Sequence, residues 1–442
     1  MSTQVCRLLV LAMRSACCRP GNRPCVRPQA SLSCGPMARI PHRRSYSLDS
    51  LSSGLGGPQV HQSRGDRLSP SSALPHRRLS AAAMSVKDHH SPQRRYDDLD
   101  LGSVEENTQK AKTCNIVRRF LVEPALASMV AQHMGPNLED SKAVIFECHP
   151  GPGVLTRTLL NAGAQRVVAL EPQRCFLPDL RALESKLDGQ LDVIQCDFFN
   201  LDPRTVITQK TVVRKSDKLF SDLGISEAKW TDESSVRVVG IMPHMTEKNK
   251  MWRLVYALLE RQSIFHYGRI ELNLLMSERE YLKLLARPGD MENYRGIGAL
   301  WQMACNIQLL HKEPWSSFVT SSKYIHVKKS RLPNQHMCLV RLTPREDLFS
   351  AHLSPSNSST LIMMVKQCLT KRKALLMDKL NLWSPESGPK LLSQMGMPED
   401  ILTGHVYPHE YRQLFELMEE SQEFTQSWLY QEVLDNTDES WS

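Results

Sequence analysis

From about residue 143 onward, short apolar runs alternate with amphipathic stretches, a pattern that predicts parallel strands joined by helices. Ala143-Val144-Ile145-Phe146 is a β-favouring run. It passes into Glu147-Cys148-His149-Pro150-Gly151-Pro152-Gly153 before a helical pattern opens at Val154. Leu155, Leu159 and Ala162 share one face of that helix, and Gly163 is placed to end it. Residues 166–170 read as a second strand, 177–187 as a helix, Asp188-Gly189 as a turn and 191–195 as a third strand. Further strands are expected over 236–240, 269–276, 307–311 and 337–342. After about Leu353 the pattern is mainly helical.

Charge divides the chain unevenly. The formal net charge is +8, but residues 1–96 hold 15 Lys and Arg against 3 acids, a net of +12. The remainder is therefore net −4, so nucleic-acid binding requires local basic patches rather than a global field. Five of the 12 cysteines lie in the first 34 residues, the others are scattered, and no CxxC pair occurs. That pattern speaks against a structural metal site or a disulfide framework and suits a reducing compartment. No run approaches the roughly 18 apolar residues of a membrane span, so no membrane insertion is expected.

Residues 1–48 carry eight arginines, no lysine and no acid, with serines throughout, which is the composition of a mitochondrial transit peptide. Arg44-Ser45-Tyr46-Ser47 resembles a matrix-protease site, so cleavage is expected near Tyr46 and the transit peptide over 1–46. A basic tail with no address is the alternative. Residues 47–111 read as a flexible linker, 112–350 as the α/β body, and 351–442 as a helical C-terminal domain with an acidic tail. After Arg412 there are eight acids and no Lys or Arg, a tail that repels nucleic acid and suits either a basic protein surface or solubility.

The candidate chemistry sits at the ends of the first three strands. Gly151 and Gly153 let backbone approach a ligand closely. Glu171 ends the second strand, where an acid accepts hydrogen bonds from both ribose hydroxyls of a nucleoside. Asp197 follows the third, where it suits an adenine amine. A dinucleotide dehydrogenase is the nearest rival, because Glu171 lies 20 residues after Gly151. Thr156 stands where its third glycine belongs, and its fingerprint does not ask for Asp197.

These residues resemble the ribosomal RNA adenine dimethyltransferases, and within them the mitochondrial transcription factor B branch. Residues 147–156 are similar to the family's Glu-Ile-Gly-Pro-Gly-x-Gly-x-Leu-Thr loop, and Arg119-Phe120-Leu121 stands in place of the Asn-Phe-Leu that covers the cofactor. Asp197-Phe198-Phe199, Glu313-Pro314-Trp315-Ser316-Ser317-Phe318 and Phe415-Glu416 resemble the mitochondrial branch. The resemblance implies a Rossmann-like class I methyltransferase sheet with a small helical C-terminal domain. It also implies S-adenosylmethionine as cofactor, held by Leu121, Gly151, Glu171 and Asp197.

Two departures alter the expected activity. His149 replaces the loop's first glycine, and Ile241-Met242-Pro243-His244 replaces the family's Asn-Leu-Pro-Tyr or Asn-Ile-Pro-Phe. The family methylates the exocyclic amine of a flipped adenine, which an amide acceptor orients and an aromatic ring holds by stacking. Ile241 accepts no hydrogen bond, which leaves Pro243 and His244 as the catalytic candidates. Losing such a partner costs about 1–3 kcal/mol, roughly one to two orders of magnitude in rate. Methyl transfer is thus expected to be weakened more than cofactor binding.

The segment Cys368 to Leu375 is similar to the family's basic helix, which makes Lys371, Arg372 and Lys373 candidate phosphate contacts, with Lys366 and Lys379 nearby and Lys323, Lys328, Lys329 and Arg331 upstream. His244 and Trp252 are candidates to stack on unpaired bases. Two functions follow from the resemblance. One is a mitochondrial transcription initiation factor, acting with the mitochondrial RNA polymerase on melted promoter DNA in the matrix nucleoid. The other is dimethylation of adjacent adenines in the small-subunit rRNA.

Overall fold

The computed structural model describes residues 98–135, 138–203, 215–321 and 336–421. The expected transit peptide and its cleavage site, the linker up to residue 97, the four upstream basic residues 323–331 and the tail beyond 421 lie outside the described residues.

Among the described residues, packing against the body is already made at Leu99, ahead of Lys112. Leu99 exchanges two hydrogen bonds with the side chain of Asn161, at 2.8 and 2.9 Å. Helix α1 (Val104–Lys112) follows, inside the stretch read as linker. Ser103 caps it by accepting from the Glu106 amide, and Glu106 pairs with Lys110 one turn on, which outweighs the polar composition that suggested a linker. Strand β1 (Arg119–Phe120) and helix α2 (Pro124–Met134) lead into the sheet.

The sheet is built from β2 (Val144–Cys148), β3 (Val167–Leu170), β4 (Leu191–Ile194), β5 (Val236–Ile241), β6 (Glu271–Ser277), β7 (Cys305–Pro314) and, after β8 (Val319–Thr320), β9 (His336–Pro344). Their spatial order is β4-β3-β2-β5-β6-β9-β7. The first five are parallel, and β9 and β7 complete the sheet antiparallel. This is the α/β sheet expected, with each strand within a few residues of its predicted place. The chain leaves β2 towards β3 and returns to β5 on the other side, so a crevice opens beyond the carboxyl ends of β2 and β5.

Alternating side chains feed two apolar layers. Phe146, Val168, Leu170, Val238, Leu272 and Leu274 enter one, and Ile145, Val167, Ala169, Val239 and Leu275 the other. The second layer is closed by α2 and by α3 (Val154–Asn161). The first layer is larger and continuous: it runs from the sheet through Trp301 to Trp383 and Tyr411 in the C-terminal helices. Tyr294 and Tyr411 tie those helices down, donating to the carbonyls of Val406 (2.7 Å) and Thr403 (2.6 Å). Among the described residues no helix is long and apolar enough to cross a membrane, and no cluster could hold a metal ion.

Candidate active site and nucleic-acid interface

Beyond β2 the backbone turns through His149 with φ of 60°, a left-handed conformation that costs a side-chain-bearing residue on the order of 1–2 kcal/mol. The ring makes compensating contacts, with Nε2 3.1 Å from Asp197 Oδ1 and the ring edge-on to Phe199. Gly151 (φ 60°) and Gly153 (φ 80°) complete the turn. The expected open face at Gly151 is filled, because a Cβ there would stand 2.6 Å from Phe120 Cδ1. The ring of β1 already covers the loop.

Glu171 is wholly buried, and both its oxygens are in use. Oε1 accepts from Arg118 Nη1 (2.7 Å) and the Gln173 amide (2.7 Å); Oε2 accepts from Arg118 Nη2 (3.0 Å) and the Gly151 amide (2.9 Å). Asp197 is similarly engaged: Oδ1 accepts from the Phe199 amide (3.0 Å) and faces His149, while Oδ2 accepts from Asn200 Nδ2 (2.5 Å). Burial pushes the Asp197 carboxyl up, but the hydrogen bond and charge of His149, with Lys250, outweigh it and hold the carboxyl below its ordinary range. Leu121 is buried in the apolar layer that contains Val154 and Leu126.

Across the crevice β5 ends at Ile241, which packs against the second apolar layer and offers no polar atom beyond its backbone. The Pro243 carbonyl, a candidate acceptor for an incoming amine, already accepts from the Thr246 amide at 3.1 Å. His244 Nδ1 lies 2.9 Å from Arg119 Nη2. A guanidinium only donates, so Nδ1 accepts and the ring carries its proton on Nε2. Burial, then the Arg119 charge, lowers the His244 pKa, consistent with that neutral ring. Arg119 is itself buried, its pKa brought down to about 10 by that burial against the opposing Glu247 charge, and it lies 5.3 Å over the Trp315 ring.

Residues 112–420 match the family model described as ribosomal RNA adenine dimethylase. The chain belongs to the ribosomal RNA adenine dimethylase family. Mitochondrial dimethyladenosine transferase 2 of Homo sapiens is 38% identical over 330 residues, covering 72% of this chain and 82% of that protein. The Bos taurus protein of the same name is 37% identical, covering 77% and 86%. A crystal structure of a dimethyladenosine transferase from Plasmodium falciparum superposes with a TM-score of 0.46 at 14% identity, covering 67% of this chain and 95% of that one. The family is a class of methyltransferases that take S-adenosylmethionine as methyl donor.

Set against the dimethylase reaction, the donors and acceptors are in the expected order but not free. Glu171 and Asp197 stand beyond adjacent strands, as a nucleoside requires, yet every carboxylate oxygen among the four has a partner from this chain. In this arrangement the residues do not fit the cofactor without moving Arg118 and His149.

The basic residues also differ from expectation. The helix over Ser358–Thr370 stops before Lys371, so Lys371, Arg372 and Lys373 lie on a turn rather than on a basic helix. The turn is held by the segment opposite: the Arg372 carbonyl accepts from the Gly404 amide (2.8 Å) and the Lys371 carbonyl from Thr403 Oγ1 (2.9 Å). These three line a shallow hollow of their own with Met291. A larger cleft of about 910 Å³ opens beside His244. Lys248, Arg279, Lys283, Arg295 and Lys366 line it against two carboxylates, Glu247 and Glu280. Trp252 faces it, with Lys366 Nζ 5.8 Å over the indole. Sequence reasoning singled out Trp252 and Lys366 but missed Lys248, Arg279, Lys283 and Arg295. The available signal was spacing: Lys248 with Trp252, and Arg279 with Lys283, are four apart on helices and so share a face.

Glu147 supplies a pH test of the loop. It is buried on β2 and accepts from Thr156 Oγ1 at 2.6 Å. Burial pushes its carboxyl up to about 7, against that hydrogen bond. The folded chain therefore keeps a proton that the unfolded chain releases above about pH 4.5, so stability falls as pH rises from about 4.5 to about 7 and is level above. Glu147→Gln should remove that loss, stabilising the protein by about 3 kcal/mol more at pH 8 than at pH 4.5. Equal effects in denaturant titrations at both pH values would contradict it.

Proposed function

We propose that this protein is a mitochondrial transcription initiation factor, the second paralogue of the mitochondrial transcription factor B branch, which joins the mitochondrial RNA polymerase and holds melted promoter DNA in the matrix nucleoid. The observation that carries the reading is the wide basic cleft with Trp252 on its wall, set beside a target-base position that lacks an amide acceptor. A cleft of this kind suits single-stranded nucleic acid, with cations following the phosphates and an aromatic face receiving a base. On this reading the sheet body over 112–350 supplies most of the cleft and the helical part over 351–442 contributes Lys366, Leu369 and Thr370, while the turn at Lys371-Arg372-Lys373 lines its separate hollow. Protein lacking residues 1–46 should stimulate promoter-dependent run-off synthesis by the cognate polymerase. No stimulation over polymerase with its other factors overturns the proposal.

Dimethylation of adjacent adenines in the small-subunit rRNA, at a reduced level, is the second reading. The order of Glu171, Asp197 and Pro243 around the crevice favours it, as do the matching family model, described as ribosomal RNA adenine dimethylase, and relatives named dimethyladenosine transferase. Transfer of labelled methyl groups to a small-subunit rRNA hairpin should be weak in the parent and stronger in an Ile241→Asn variant that keeps its circular dichroism. A variant no better than the parent removes the missing amide as the cause.

A further inference from the structure

Both nucleoside-facing acids are occupied by side chains of this chain, and the occupants come from two places. Arg118 immediately precedes β1, whose antiparallel pairing with β8 clamps the segment over the sheet end: Arg119 lies opposite Thr320 and Phe120 opposite Val319. The clamp extends to Arg118 itself, whose carbonyl accepts from the Ser321 amide at 3.2 Å. From there the guanidinium reaches in beneath the rings of Phe120 (4.7 Å) and Phe176 (5.5 Å), pairs bidentately with Glu171 and donates to the His149 carbonyl at 2.7 Å. Arg118 and Glu171 are both buried, so water does not screen the pair. His149 closes the other acid from the position where the family has glycine.

We infer that Arg118 and His149 form an internal plug, in which Arg118 occupies the ribose-binding oxygens of Glu171 and His149 the adenine-facing edge of Asp197, so that cofactor affinity is set by displacing them. The inference rests on Glu171 and Asp197 being the nucleoside-binding acids. It does not depend on the transcription reading. A charge-assisted, two-pronged bond to a planar carboxylate is among the stronger polar contacts in proteins, and a ribose offers only neutral hydroxyls in exchange. The nucleoside thus competes against a better partner. Apparent affinity falls by the fraction of molecules in which the plug is withdrawn.

Calorimetric titration of S-adenosylhomocysteine into the chain lacking residues 1–46 tests this without any turnover. Arg118→Met keeps the buried stem and removes the fork, and it should bind at least about tenfold tighter than the parent. His149→Gly should add a further gain, and Arg118→Lys, which cannot fork, should fall between parent and methionine variant. If Arg118→Met proves unfolded by circular dichroism, the lysine variant decides. Parent affinity equal to that of the folded Arg118 variants overturns the plug. The premise has its own control: adding Glu171→Ala to Arg118→Met should abolish the gain, and a double variant that still binds tightly shows that Glu171 is not the ribose acceptor. Run-off transcription is read separately, so its failure leaves these affinities unchanged.

Discussion

Replacing Lys283, Arg295 and Lys366 together with alanine should weaken binding of single-stranded DNA by roughly a hundredfold, at about 1 kcal/mol for each phosphate contact removed. The three side chains reach the cleft from three helices, Glu278–Leu285, Gly296–Ala304 and Ser358–Thr370, with Arg295 at the first cap of its helix. Among the described residues Lys283 is ion-paired with Glu280, Arg295 feels the charge of Asp290, and Lys366 lies over the rings of Trp252 and Tyr256. Because each neutralised phosphate of a single strand releases about 0.7 of a counterion, the slope of log affinity against log salt should become shallower by about 2. Fluorescence anisotropy at several salt concentrations measures both quantities. The same three changes at Lys371, Arg372 and Lys373 should matter less, since those residues line a separate hollow. A larger loss there than at the cleft would move the binding surface to the turn.

Trp301→Ala should lower the unfolding free energy by about 3–5 kcal/mol, a large part of the roughly 5–15 kcal/mol available to a domain. Trp301 is completely buried at the centre of Gly296–Ala304, a helix buried on nearly all sides between the sheet and the C-terminal helices. Its indole N–H has no hydrogen-bond partner among the described residues. Trp301→Phe should therefore cost much less, under about 1.5 kcal/mol, because the smaller cavity is offset by removal of an unsatisfied donor. Denaturant titration separates the two outcomes. An alanine variant within about 1 kcal/mol of the parent would contradict the continuity of the apolar layer.

Much of this architecture was legible because the sheet strands are short, β-branched and bounded by turn residues. Val167, Val168 and Ala169 announce a strand, and Gly163 and Gly189, both with positive φ, mark the turns before it and before β4. The length of β7 was not legible, since its residues alternate little and its face is largely exposed at the sheet edge. Helix α1 was hidden by the polar composition of its neighbours, although Ser103 and the Glu106 to Lys110 spacing carry its signal.

The site was legible in part. Spacing placed Glu171 and Asp197 beyond adjacent strands, but periodicity says nothing about partners 53 residues away, and the Arg118 to Glu171 pair spans that separation. Ile241 and His244 could be named from the sequence, whereas the hold of Arg119 on His244 joins positions 125 residues apart. The cleft is likewise assembled from four helices that are distant in sequence. It appears only when the chain is folded.

As proposed, the dimethylase fold here serves chiefly to hold nucleic acid for transcription. Asp197→Ala, checked by circular dichroism, tests it most directly when run-off transcription and methyl transfer to rRNA are measured on the same preparation. Asp197 faces the loop and not the basic cleft. The account predicts promoter-dependent initiation within about twofold of the parent while any methyl transfer is lost. Equal loss of both activities would contradict it.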